Sequence, residues 1–351
     1  MRDSSYTSSS ENKSAKKRAL IIICIAAVVI PLFLGIGVIY KKAAEKNTVN
    51  AFTKQRFEDF YALKDNSLDM VFVGSSHCYC TFDPALIEKY TGLSSFQMGT
   101  PLQHPDTTYF ELKEILKTQK PKYVVMDVYW DVLDDNFELK QADSFFEVLK
   151  DKSIKKQYIK EVFPLSDKVK YSLWPIRFQQ DYFAYAASAM QKGLQAKYGV
   201  KEKAGQVQQG EERYSDRGYV YSNQTMLESE YDSTNQFKNF DAKKWTMAKS
   251  QKKYMEKIVS LCQSQNISLI FVTAPVANVS LGYIKNYGVI NKAVSEFAEK
   301  NNVPYLDFNM ENRNGELFSN DNFRDDAHLN HSGVEIADKY FARWLKNNGI
   351  N

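Results

Sequence analysis

Histidine and cysteine are scarce, with four of each in 351 residues. Cys24 lies in an apolar run. The body holds only Cys78, Cys80 and Cys262, an odd number that excludes a disulfide-built scaffold. His328 and His331 form a His-x-x-His pair, but the His-Glu-x-x-His spacing of zinc peptidases is absent. The 15 glycines form neither a phosphate-cradling loop nor a dinucleotide fingerprint. No cofactor or metal is therefore expected. No internal repeat is present. The basic excess is also confined: residues 1–46 carry eight basic and three acidic groups, so a net charge of +4 leaves the remainder near −1. A body of that charge is not a basic nucleic-acid binder.

Apolar and aromatic residues are abundant, with 22 Phe and 22 Tyr, and support a real core. After a polar tail at 1–18 that ends in Lys16-Lys17-Arg18, Ala19 to Tyr40 gives 22 residues without a formal charge. A helix of that length rises about 33 Å and can cross the hydrocarbon of a bilayer. The run exceeds a signal-peptide core, and no Ala-x-Ala site follows closely, so an uncleaved transmembrane anchor is expected at 19–40. The flanking charges favour an inside N-terminus and a single-pass chain with an extracellular C-terminal body. Residues 41–66 read as a helical stalk, with Phe52, Phe57, Phe60 and Leu63 at helical spacing.

Beyond it, strands and helices alternate. Apolar strands are predicted at 68–73, 95–98, 122–128, 267–273 and 303–308, with helices at 83–90, 106–118, 242–264, 286–301 and 332–346. Asp83-Pro84 marks a helix start, Gly92 a helix end, and Asp106 a cap. The strands are almost continuously apolar, as in a parallel sheet covered on both faces. Residues 67–139 and 241–351 thus read as one three-layer α/β/α domain of flavodoxin-like type. Residues 140–240 break the rhythm and read as a largely helical insertion or cap, loose around Gly205–Gly210.

Two short segments carry chemistry. Strand Met70-Val71-Phe72-Val73 runs into Gly74-Ser75-Ser76-His77, which delivers a serine at a sharp turn. Near the other end stands Asp325-Asp326-Ala327-His328-Leu329-Asn330. A serine hydroxyl needs a base within hydrogen-bond reach and a third group to fix that base's tautomer. Ser76, His328 and Asp325 supply that set if the fold unites them. Asp326 competes as the carboxylate, but reads better as solvated or as a helix cap. Cys78 replaces the final glycine of Gly-x-Ser-x-Gly, which excludes the nucleophile elbow of α/β-hydrolases.

On these blocks the chain resembles the SGNH/GDSL hydrolase superfamily, in particular its membrane-anchored cell-envelope branch related to DltD-like proteins. Gly74-Ser75-Ser76 resembles the nucleophile block, and Asp325-x-x-His328, extended by Leu329-Asn330 and Gly333, the acid–base block. The resemblance implies Ser76 as nucleophile, His328 as base and Asp325 as its orienting acid. It implies an oxyanion hole from the amides of Ser76 and Gly99. The third block departs from the pattern: Met126-Asp127-Val128-Tyr129-Trp130 stands where many members carry Gly-x-Asn-Asp. Gln103 and Tyr129 are the substitute donors, and His77 and Asn330 further candidates for the pocket. The implied activity is an esterase or O-acyltransferase on acyl esters of an envelope polysaccharide or teichoic acid. Its partners would be the bilayer, that glycan and a membrane acyltransferase. The alternative is a non-catalytic assembly or glycan-binding protein on the same scaffold.

Overall fold

The computed structural model describes residues 6–44, 49–172, 208–209 and 211–350. The expected insertion's middle, 173–207, lies outside them. The chain divides into two compact units. Within its described residues, the first consists of the helix Tyr6–Ala44 and the helix Leu165–Ser172. The segment Lys13–Gly35 is long and apolar enough to cross a membrane.

The second unit is the α/β body. Its main sheet joins β1 (Met70–Val73), β2 (Ser95–Gln97), β3 (Tyr123–Asp127), β7 (Ser268–Thr273) and β8 (Tyr305–Asp307). All neighbours are parallel, in the order β2-β1-β3-β7-β8. The remaining strands, β4 (Gln208–Gln209), β5 (Glu212–Tyr214) and β6 (Val220–Tyr221), form a small antiparallel sheet. The main order is that of flavodoxin-like sheets, whose sites form beyond the carboxyl ends of the strands.

Register explains the core. Phe72 stands beside Val125, Val125 beside Ile270, and Val272 beside Leu306. Strand side chains alternate between faces, so these residues share one. They cluster with Ile87 of the helix Pro84–Thr91 and with Val334, Ala337 and Phe341 of the helix His331–Asn347. The opposite face is covered by the helices Pro105–Ile115, Lys249–Ser264 and Gly288–Lys300, with Phe271 against Phe297. Two covered faces account for the unbroken apolar strands.

Three local expectations need correction or sharpening. Gly92 does end its helix, at φ +75°. Asp106 is not a cap: the helix begins at Pro105, and the buried Asp106 side chain accepts from Gln251 Nε2 at 3.2 Å. The helical part of the expected stalk, Ala51–Ala62, is no free stalk. Phe52, Phe57 and Phe60 are buried, and Phe60 meets Phe96 of β2 at a ring separation of 5.9 Å. Three aromatic rings on one helix face gain more from burial than from projecting into water.

Candidate active site

The serine turn is set by close approach. Gly74 has φ +135°, and a Cβ there would lie 2.7 Å from Asp127 Cβ, so only glycine fits between β1 and β3. Ser75 then caps the short helix Ser76–Tyr79: its Oγ accepts from His77 N at 3.2 Å and donates to Asp127 Oδ2 at 2.5 Å. Ser75 N also donates to Asp127 Oδ2, at 3.3 Å. Asp127 is buried at the end of β3, and burial pushes its carboxyl up to about 6. The result leaves Ser76 partly exposed on the first residue of the helix.

The second segment is a closed loop. Phe323 pairs antiparallel with Leu329, and Arg324 N donates to His328 O at 2.9 Å. Inside it, Asp325 Oδ1 accepts from Ala327 N at 2.8 Å and His328 N at 2.7 Å. Both Asp325 oxygens lie 3.0 Å from His328 Nδ1, and His328 Nε2 lies 2.8 Å from Ser76 Oγ. A carboxylate accepts only, so Nδ1 carries the proton and Nε2 faces the serine as acceptor. Burial disfavours charge on both partners, but their mutual attraction outweighs it. His328 is raised above its ordinary value, and Asp325 is held well below the carboxylate range.

Gly99 lies against the same turn. A Cβ on it would stand 2.9 Å from Ser75 O. Among the described residues, neither the Ser76 nor the Gly99 amide donates to a protein acceptor. An acyl carbonyl oxygen can occupy such donors as it gains negative charge.

The remaining candidates fall into two groups. His77 is buried, stacks on Tyr129 at 3.8 Å and lies 4.6 Å from the His328 ring. Burial first, then the neighbouring His328, holds it well below its ordinary pKa, so it stays neutral beside the His328 ring. Gln103 and Asn330 are drawn into structural networks. Gln103 Nε2 is consumed by Thr108 Oγ1 at 3.0 Å and Glu111 Oε2 at 2.7 Å, which leaves no amide hydrogen for an oxyanion. Asn330 caps the helix His331–Asn347, accepting from Gly333 N at 3.2 Å and donating to Asp321 O at 2.7 Å. Asp326 is neither solvated nor a helix cap: it is buried and accepts from Gln236 N at 2.7 Å.

Two residues that hold these segments in place escaped the sequence reading. Asp127 was visible only as a weak third block, yet it fixes the serine turn. Arg324, next to Asp325, is buried and paired with Glu212 at 2.8 Å. Only the polarity of a residue ending an apolar strand hinted at the first.

The family model described as "Protein of unknown function (DUF1574)" matches residues 36–333. No curated protein matches the chain. Among solved structures, the chain is similar to one described as a lipolytic protein of the G-D-S-L family from Desulfitobacterium hafniense DCB-2. That likeness has 13% identity and a TM-score of 0.35, over 78% of this chain and 97% of that one. A structure described as an acylhydrolase from Bacteroides fragilis NCTC 9343 gives 11% identity and a TM-score of 0.39, over 86% and 99%. A GDSL-like lipase from Bacteroides thetaiotaomicron VPI-5482 gives 10% identity and 0.38, over 84% and 98%.

Proposed function

We propose that this chain, which belongs to the DUF1574 family, is a serine esterase or O-acyltransferase. The supporting observation is the contact of Ser76 Oγ with His328 Nε2 at 2.8 Å while Asp325 holds Nδ1 at 3.0 Å. Ser76 Oγ attacks the ester carbonyl carbon as its proton passes to His328 Nε2. The Asp325 carboxylate stabilises the imidazolium that forms. The carbonyl oxygen, now an oxyanion, accepts from the Ser76 and Gly99 amides. Collapse breaks the ester C–O bond, His328 returns the proton to the leaving alcohol, and an acyl-serine remains. Water or a sugar hydroxyl, deprotonated by His328, then attacks the acyl carbon and frees Ser76.

The apolar segment Lys13–Gly35 supports a membrane anchor, and Lys16-Lys17-Arg18 at its N-terminal end supports an outside body. That address suggests O-acyl groups of an envelope polysaccharide or teichoic acid as substrates, with a membrane acyltransferase as partner. A second reading, glycan binding without turnover, draws on β3: its terminal Asp127 goes to Ser75, and residues 126–130 hold no asparagine to add a third oxyanion donor.

Acyl release from p-nitrophenyl acetate and from O-acetylated polysaccharide tests the proposal. The full chain should turn over at least one of them, and Ser76→Ala should lower the rate by more than about 10³-fold. Polysaccharide retained by a wild-type chain that releases no acyl group would favour the second reading.

A further inference from the structure

The loop of Asp325 and His328 is tied to the body at several points, Asp326 among them, which accepts from Gln236 N at 2.7 Å and through its carbonyl from Ala277 N at 3.3 Å. On the side of the small sheet the tie is the neighbouring guanidinium. Arg324 is 3% exposed. Its Nε donates to Leu329 O at 2.7 Å, across the mouth of the loop. Its Nη2 donates to Val220 O at 2.9 Å, on β6. Its Nη1 meets Glu212 Oε1 at 2.8 Å, on β5. Three bonds in a planar fork hold three backbone segments at fixed mutual positions, a task lysine's single ammonium cannot copy. The hairpin is itself held: Arg56 of the helix Ala51–Ala62 donates twice to Gly218 O, at 3.0 and 2.8 Å, and Tyr214 donates to Asp59 at 2.8 Å.

We infer that Arg324, latched by Glu212, is a positioning residue that holds the His328 imidazole at reacting distance from Ser76, so that the β5–β6 hairpin is a working part of the active site. This rests on the acyl-transfer reading above. The reason is geometric. Displacing a catalytic group by about 1 Å costs on the order of 10²-fold in rate. His328 O accepts from Arg324 N at 2.9 Å, so a shift of Arg324 moves the base directly. Glu212 is the carboxylate that makes a buried guanidinium tolerable at this place. Without it, Arg324 keeps only two neutral carbonyls and is drawn toward water, which loosens the loop on the side of the small sheet.

Glu212 offers a test on the more exposed partner of the pair: its side chain is 36% exposed against 3% for Arg324, and its removal leaves the buried guanidinium without a carboxylate. In the full chain, Glu212→Ala should lower kcat per folded molecule on p-nitrophenyl acetate about tenfold or more, with KM near wild type, and should also lower the melting temperature. Glu212→Gln keeps an oxygen acceptor for Nη1 and should recover most of the loss. Arg324→Lys should lower kcat at least as far as Glu212→Ala. A merely structural latch would move the melting temperature and leave kcat per folded molecule unchanged in all three, which would overturn the inference. Ser76→Ala run in parallel separates the two layers. Turnover that survives in Ser76→Ala sinks the acyl-transfer reading itself. Turnover lost in Ser76→Ala but unaltered in Glu212→Ala and Arg324→Lys sinks only the positioning role.

Discussion

At the scale of single residues, the account depends on a proton's path. While His328 is protonated it cannot take the serine proton, so kcat/KM should rise as pH climbs through its pKa. Asp325 raises that pKa above 6.5, and the midpoint of the rise is expected there. Asp325→Asn removes the raising charge. The midpoint should move down while the plateau rate falls about 10²–10⁴-fold, readable in one pH–rate series. The same pair bears on stability with opposite signs. His328 contributes fully below 6.5, and that contribution fades as pH rises through its raised folded value. Asp325 contributes above 3.8, and its share is lost as pH falls through its depressed folded value. Asp325, His328 and Ser76 were legible as types at a spacing, because the carboxylate and the imidazole lie three residues apart. Asp127, Glu212 and Arg324 were not. Their partners lie 52 to 112 residues away, and no local pattern announces a contact of that range.

At the scale of elements, the serine turn depends on how closely β1 and β3 approach. Gly74→Ala would combine a disfavoured φ of +135° with a Cβ 2.7 Å from Asp127 Cβ. The turn should lose about 1–3 kcal/mol, measurable as a lower denaturant midpoint, with Ser76 reactivity falling as well. The five main strands and their helices were readable from periodicity, because a doubly covered sheet writes its burial into every strand position. Boundaries moved by one to three residues, except that the helix expected at 242–264 begins only at Lys249. The small sheet was not readable. Gln208–Gln209, Glu212–Tyr214 and Val220–Tyr221 are too short and too polar to carry a period-two signal. The helix Ala51–Ala62 shows the converse. Its apolar stripe was visible, but only the fold shows that the stripe meets β2 and the 216–218 turn.

At the scale of the whole molecule, an apolar N-terminal helix precedes an α/β body whose proposed reacting groups collect beyond the carboxyl ends of its strands. If Lys13–Gly35 anchors the chain, the protein should sediment with membranes and resist carbonate extraction. Protease added to intact cells should then remove the body, and a body protected until lysis would reverse the proposed orientation. The most direct measurement combines this setting with the chemistry: full-length protein in membranes is treated with a serine-directed fluorophosphonate, and the adduct is mapped by peptide mass spectrometry. The expected result is one modified serine, Ser76, whose labelling collapses in His328→Ala although that variant stays folded. Labelling at another serine, or at Ser76 with no dependence on His328, would contradict the proposed pairing of hydroxyl and imidazole.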